Sequence, residues 1–336
     1  MINLGLQLLR MILCLWIVII HTSFPSNKLI AHIIFERRFH VPSFIIISFY
    51  FQYKYFTQRN IIKIKERFKR LLLPYILLPI IIWIFNNLLF LFFHINRFGR
   101  TLSFYELLVQ LLIGRCFHGI FWYQFNLLFI TLFNLIIFFI FKKLVLLIFI
   151  NLLLLAYLFQ YSDYNTKFFK DYSENIKYSL GNILEIIPFS ITGLLFASIN
   201  LIENLKNKRL IAIIFSLLNL FFIFKFKFKS FIKINGFFYP GIIHNIGAIF
   251  LFILFSLIPF VFLRKKFIIS IIKSISNYTG GIYYFHPIIY KYLKFNLSFI
   301  KNSKIYGSFI IYLTAYLLCY FGMKIFGKTK LKFLFC

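Results

Sequence analysis

Leu8-Leu9-Arg10-Met11-Ile12-Leu13-Cys14-Leu15-Trp16-Ile17-Val18-Ile19-Ile20-His21-Thr22 decides the fold. The run is apolar enough to span a bilayer, yet it carries an arginine and a histidine. At 100° per residue the eleven steps from Arg10 to His21 make about 1100°, three turns plus about 20°. Both side chains therefore fall on one stripe of a helix, separated by a rise of roughly 16 Å, about half the thickness of a hydrocarbon core. Ionisable groups inside a membrane cost at least a few kcal/mol each and face a water-filled cavity or a polar partner. The alternative is that Arg10 snorkels to the headgroups while His21 sits at the opposite interface. From this segment alone both readings stand.

The rest of the chain has the same character. Of its 336 residues 61% are hydrophobic and only 14% charged, which a soluble domain of this size has nowhere to bury. Runs of spanning length fall at roughly 4–24, 41–57, 71–93, 120–141, 144–161, 181–201, 209–225, 240–263, 279–297 and 305–327, about ten by the ~20-residue criterion. They are unbroken rather than alternating, so helices are expected and not barrel strands. No connection is long enough for a soluble domain, and no internal repeat is visible. The expectation is an all-α polytopic membrane bundle of about ten transmembrane helices, one domain over residues 1–336. Arg10 interrupts the first apolar run, no basic stretch precedes it and no small-x-small site follows, so the first segment reads as a retained helix rather than a signal peptide.

Net charge is +30, from 38 basic and 8 acidic residues. The basic residues cluster between the apolar runs, the pattern of flanks facing anionic headgroups, and no nucleic-acid-binding motif accompanies them. Membrane lipids are the expected partner and nucleic acid is not. The densest cluster, 59–70, and the acids Glu36, Glu106, Asp163, Asp171 and Glu174 favour an inner N-terminus. The 51 Phe and 21 Tyr, with abundant Ile, Asn and Lys, fit an A/T-rich coding sequence and are not read as a binding feature. Cys14, Cys116, Cys319 and Cys336 are scattered, which suggests neither a zinc site nor a disulfide framework. No metal is expected.

Two further segments carry chemistry. In Ile61-Ile62-Lys63-Ile64-Lys65-Glu66-Arg67-Phe68-Lys69-Arg70-Leu71-Leu72-Leu73-Pro74-Tyr75, the residues Lys63, Arg67 and Arg70 make one basic stripe at i, i+4, i+7. Arg67 and Arg70 could fork onto one polyphosphate; the same stripe could equally hold lipid phosphates. In Thr279-Gly280-Gly281-Ile282-Tyr283-Tyr284-Phe285-His286-Pro287, the Gly pair allows close helix approach, and Tyr283, His286 and Tyr290 share a face. His286 could be a packed core residue. Glu185, His244, Lys291 and Lys294 are other polar groups in apolar surroundings, and Glu185 is a candidate acid partner for Arg10 or a histidine.

Together these pieces resemble the acyltransferase-3 family of membrane-bound acyltransferases. Its Arg-x10-His is matched by Arg10 and His21. Its Arg-x-x-Arg before a Pro is matched by Arg67, Arg70 and Pro74. Its Leu-Trp-Phe-Leu helix start is similar to Phe121-Trp122-Tyr123-Gln124, and its Pro-Phe-x-x-x-Gly is matched by Pro188-Phe189-Ser190-Ile191-Thr192-Gly193. Its Ser-x-Gly-Ile-Tyr-x-x-His is matched from Thr279 to His286, with Thr in the Ser position. The second helix departs from the pattern Phe-x-x-x-Ser-Gly-Phe. It reads Ile47-Ser48-Phe49-Tyr50-Phe51, so the Gly is lost and packing there must differ.

The resemblance implies an O-acyltransferase that takes acyl-CoA, acetyl-CoA foremost, at the inner surface. The acyl group passes to a hydroxyl of a carbohydrate or lipid-linked acceptor on the far side. Arg67 and Arg70 would bind CoA phosphates. His21 would be the base or acyl carrier, Arg10 would stabilise the oxyanion or orient the thioester, and His286 with Tyr283 would serve the acceptor site. A transporter or flippase of an anionic lipid or metabolite, using the same cavity without chemistry, is the alternative. An inactive structural relative is a third.

Overall fold

The computed structural model describes residues 3–22, 39–94, 103–114, 121–141, 145–161, 174–224, 241–257, 265–296 and 304–335. Within them lie thirteen α-helices and no strand. They are α1 (Leu4–Thr22), α2 (His40–Thr57), α3 (Ile61–Phe93), α4 (Phe104–Leu112), α5 (Trp122–Phe141), α6 (Val145–Tyr161), α7 (Glu174–Ser198), α8 (Leu201–Asn204), α9 (Lys208–Phe224), α10 (Gly241–Leu257), α11 (Lys266–Asn277), α12 (Thr279–Asn296) and α13 (Lys304–Phe326), followed by a 3₁₀ turn, Lys330–Leu334.

Each of the ten runs expected from the sequence contains a helix. Among the described residues five helical stretches are long and apolar enough to cross a membrane: Leu4–Thr22, Ile61–Phe92, Trp122–Phe141, Gly181–Ser198 and Tyr306–Phe326. His244–Leu257 is a shorter apolar helix. Among the described residues these five are the helices of spanning length, and the shorter ones pack among them. Exposed apolar residues recur at helical spacing on its outside. Phe129, Leu132, Ile136 and Ile140 do so on α5, and Phe309, Leu313, Leu317 and Phe321 on α13. In water such stripes would be a large unburied patch. Against acyl chains they are satisfied, which makes this a membrane protein.

Two features of the sequence set the architecture. The basic stripe at 61–70 does not form a separate surface helix. It is the first third of the 33-residue α3, which runs on through Pro74 and Pro79. The Asn60 side chain caps its start by accepting from the Lys63 amide, and His94 in the left-handed region ends it. Cations at 63–70 are therefore held rigidly on the same rod as the membrane span. The second feature is the centrality of α1, which packs against α2, α10, α11, α12 and α13. Leu6, Leu9, Leu13 and Val18 on it are fully buried.

A glycine of α7 allows a close contact with α2. α2 packs along α7, and Gly193 of α7 lies against the backbone of Ile46. A Cβ at 193 would sit 3.1 Å from the Ile46 Cα and closer still to its carbonyl oxygen, so only glycine allows this approach. Gly281 does the same on α12: a Cβ there would lie 2.6 Å from Cys319 Sγ of α13.

Candidate active site

α1 and α12 run parallel and are registered at two rungs. At the lower rung Arg10 Nη2 donates to Thr279 Oγ1 at 2.9 Å. The same hydroxyl donates to the Ser276 carbonyl at 3.0 Å, and Cys14 Sγ, one turn above Arg10, lies 3.6 Å from the Thr279 carbonyl. At the upper rung the His21 ring meets the His286 ring edge-on, centroids 5.3 Å apart. The 20° offset along α1 therefore turns both Arg10 and His21 toward α12, and neither side chain is left facing lipid without a polar neighbour. Arg10 takes the hydroxyl of Thr279, not the carboxylate of Glu185, as its hydrogen-bond partner among the described residues.

At the level of the lower rung Arg67 reaches in from α3. Its Nη2 donates to Ser48 Oγ of α2 at 2.9 Å, and its Nε and Nη2 both lie 3.4 Å from Thr131 Oγ1 of α5. Phe49 fills the place of the glycine lost from α2, and its ring lies 5.5 Å from the Arg67 guanidinium carbon. Arg70 points the other way, outward, and shares Glu66 with Lys63: Arg70 Nη2 lies 3.8 Å and Lys63 Nζ 3.1 Å from the same carboxylate oxygen. Arg67 and Arg70 are thus not a symmetric fork. One lines the interior and the other stands at its mouth.

The charges of Arg10, Arg67 and Arg70 act on one another, and Tyr123 interacts with both Arg10 and Arg67. Among the described residues neither Arg10 nor Arg67 has an ion-pair partner. Each holds only neutral hydroxyls. Two cations without a carboxylate partner make a site of positive potential, suited to an anion.

Between the rungs runs a ladder of aromatic rings. Tyr123 of α5 lies 5.3 Å from Tyr283 of α12, and Tyr283 lies 5.9 Å from His286. His286 is buried, and its Nδ1 lies 3.2 Å from the Ile282 carbonyl. A carbonyl oxygen only accepts, so Nδ1 carries the proton and Nε2 presents a lone pair. That Nε2 has no hydrogen-bond partner among the described residues. Arg10 is half-buried, and His21, in contrast to His286, is exposed.

The structure thus brings Arg10, His21, Arg67, Tyr283 and His286 onto one continuous track and places Arg70 at its entrance. Sequence reading did not single out Thr279, Ser48, Thr131 or Tyr123 as partners. Thr279, Ser48 and Tyr123 lay within matched motifs, which was their signal; Thr131 carried none. No group of three His, Cys, Asp or Glu that could hold a metal occurs among the described residues. An open groove of about 580 Å³ near the far end of α3, lined by Trp83, Asn87, Leu88, Leu91 and Ser103 among others, is separate from the track and has no ionisable side chain in its lining.

No curated protein and no solved structure matches the chain. A family model described as an acyltransferase domain matches residues 3–327, nearly the whole length and all of the track. The arginine–histidine stripe of α1, its two rungs on α12 and the arginines of α3 all fall within that match, and the chain belongs to the acyltransferase-3 family.

Proposed function

We propose that the protein moves an acyl group from acyl-CoA, bound by its phosphates among Arg10, Arg67 and Arg70, to an acceptor hydroxyl presented at His21. The observation that carries this reading is the track itself. An anion site without counter-ions lies at one end, a histidine pair lies at the other, and rings line the way between. The axial distance from Arg10 to His21 is roughly 16 Å. A pantetheine arm has the chain length of four to five residues, so extended it reaches about 15 Å. Phosphates held at the lower rung would therefore deliver the thioester to His21.

The same distance bears on Arg10. A tetrahedral centre at His21 lies beyond the guanidinium that Thr279 holds, so we assign Arg10 to the phosphates and the arm, not to the oxyanion. His21 takes the proton from the acceptor hydroxyl as its oxygen attacks the thioester carbonyl. The C–S bond then breaks, and the imidazolium returns the proton to the CoA thiolate. His286 is the positioning residue. Its tautomer leaves the Nε2 lone pair available beside the His21 ring, and we give it the role a carboxylate plays behind the histidine of a serine hydrolase. We take the acyl group to be acetyl and the acceptor to be a carbohydrate or lipid-linked hydroxyl on the side opposite the arginines.

Purified protein in lipid discs, incubated with radiolabelled acetyl-CoA and membranes, tests the reading. CoA release and label transfer are expected, and both should fall on the order of 10²–10⁴-fold in His21→Ala while CoA still binds. Transfer that survives in His21→Ala would remove the base. An anion carried across the bilayer with no CoA released would put the transporter reading in its place.

A further inference from the structure

The family match ends at residue 327, and the segment beyond it packs against the helix that carries both rungs. Thr329 starts its 3₁₀ turn by accepting from the Leu331 amide at 3.2 Å. Phe333 and Leu334 are buried, and Leu334 lies in one cluster with Tyr75 and Leu78 of α3 and Tyr284 of α12. Phe335 stacks between Phe285 of α12 and Phe326 of α13, with centroids 5.6 and 5.7 Å away and ring planes 20° and 4° from its own. Two glycines make room for it. A Cβ at Gly281 of α12 would lie 2.7 Å from the Phe335 carbonyl oxygen, and one at Gly322 of α13 would strike the Phe335 ring. Residues 329–335 thus form a strap wedged between α3, α12 and α13.

The strap meets α12 on the face turned away from α1. At 100° per residue Thr279, Tyr283 and His286 fall within about 60° of one another, the face of the two rungs. Gly281, Tyr284 and Phe285 centre about 190° from Thr279, on the back of the same turns. α12 is therefore gripped from two sides, by Arg10 and His21 of α1 in front and by the strap behind. It is a helix that needs such support. Gly280 and Gly281 are weak helix formers, and Pro287, next to His286, has no N–H for the Tyr283 carbonyl and crowds it. The stretch that carries His286 thus has little backbone stiffness of its own, and packing must fix where the imidazole stands.

Resting on the acyl-transfer reading, we infer that Phe335 is a positioning residue for the chemical step. Its ring, seated between Phe285 and Phe326, holds the turn of α12 that carries His286 against α1, and so keeps His286 beside His21. Phe335 touches neither CoA nor acceptor and acts through His286. Loss of the ring leaves a void behind Phe285 into which α12 relaxes, away from His21.

The test compares variants of the full chain in lipid discs, with kcat expressed per CoA site counted by calorimetry, so that misfolded protein does not enter. Phe335→Ala should lower kcat about tenfold, because a shift of about 1 Å in the group behind the base is enough, while KM for acyl-CoA stays within about twofold. Phe335→Tyr, which keeps the flat ring, should recover kcat, and Phe335→Leu should fall between. In a His286→Asn background Phe335→Ala should have almost no further effect, since both act through one imidazole. If Phe335→Ala fails to accumulate, Phe335→Leu carries the same comparison. A wild-type kcat per site in Phe335→Ala overturns the inference and leaves the acyl-transfer reading standing. So does a loss in Phe335→Ala that adds in full to that of His286→Asn, the mark of a general structural role. Wild type that binds or turns over no acyl-CoA overturns that reading and the inference with it.

Discussion

Thr279→Val is the substitution that reports most directly on the lower rung. Valine keeps the shape and volume of threonine and removes one hydroxyl. That hydroxyl accepts from Arg10 Nη2 at 2.9 Å and donates to the Ser276 carbonyl at 3.0 Å. The side chain is only 2% exposed, so water cannot enter to replace it on the α12 side. A hydrogen bond to a charged group contributes about 1.5–3 kcal/mol. Arg10 keeps some accessible surface and can turn its guanidinium partly toward the cleft, which places the loss near the lower end, about 1.5 kcal/mol. If Arg10 serves the phosphates, the loss appears as a KM for acyl-CoA raised about tenfold, with kcat little changed. Thr279→Ser restores the hydroxyl and should restore KM. Steady-state kinetics over a range of acyl-CoA, with thermal unfolding beside it, separates affinity from folding. A wild-type KM in Thr279→Val, or a fall confined to kcat, would refute the assignment and return Arg10 to the chemical step.

His286→Asn removes the lone pair behind His21 and should lower kcat roughly ten- to hundredfold, short of the loss from removing the base itself, with KM for acyl-CoA unchanged. A raised KM with an unchanged kcat would move His286 to binding. Glu66→Gln removes the carboxylate that competes with phosphate for Lys63 and Arg70, so CoA affinity should rise about two- to fivefold at low salt and the gain should fade at high salt. Weaker binding would make Glu66 a ligand-orienting group instead. Gly193→Ala pushes α2 off α7 at Ile46 and should cost about 1–3 kcal/mol of stability, read as earlier unfolding in discs. An unshifted transition would mean that the α2–α7 contact is not a close one.

The helices were legible because spanning length and apolar run coincide. What length could not supply was their contacts. Arg10 and His21 fall on one stripe by arithmetic within a single helix, but that arithmetic is silent about which helix the stripe faces. The answer lies in a second spacing, Thr279 to His286. Seven residues there meet eleven on α1, and the long side chain of Arg10 takes up the difference. The helices α4, α8 and α11 were not anticipated because they are shorter than a span. The Arg67–Arg70 stripe was legible as cationic but not as divided. Three residues on a helix lie only about 60° apart, so the division comes from the neighbours: Arg67 finds the hydroxyls of Ser48 and Thr131, and Arg70 finds Glu66. The loss of glycine from α2 pointed to altered packing. The three-dimensional arrangement shows what replaces it: Phe49 stands in the glycine's place and its ring covers Arg67.

Charge balance explains why the track is built as it is. A buried arginine paired with a carboxylate is satisfied and has little left for a ligand; an arginine held by hydroxyls is positioned without being neutralised. Arg10 with Thr279, and Arg67 with Ser48 and Thr131, are both of the second kind. The bundle must then bear the cost of two uncompensated cations in its interior. The packing of α1 by five helices and the glycine contacts of α7 and α12 stabilise it against that cost. Binding of a polyanion relieves the repulsion among Arg10, Arg67 and Arg70 and so should stabilise the fold as it forms the complex. CoA should accordingly raise the thermal transition of the wild type, and a variant with Arg67→Met should unfold later than wild type in the absence of CoA yet gain less from its addition. If Arg67→Met unfolded earlier and still gained as much from CoA, Arg67 would be a structural donor to Ser48 and Thr131, and the anion would lie elsewhere.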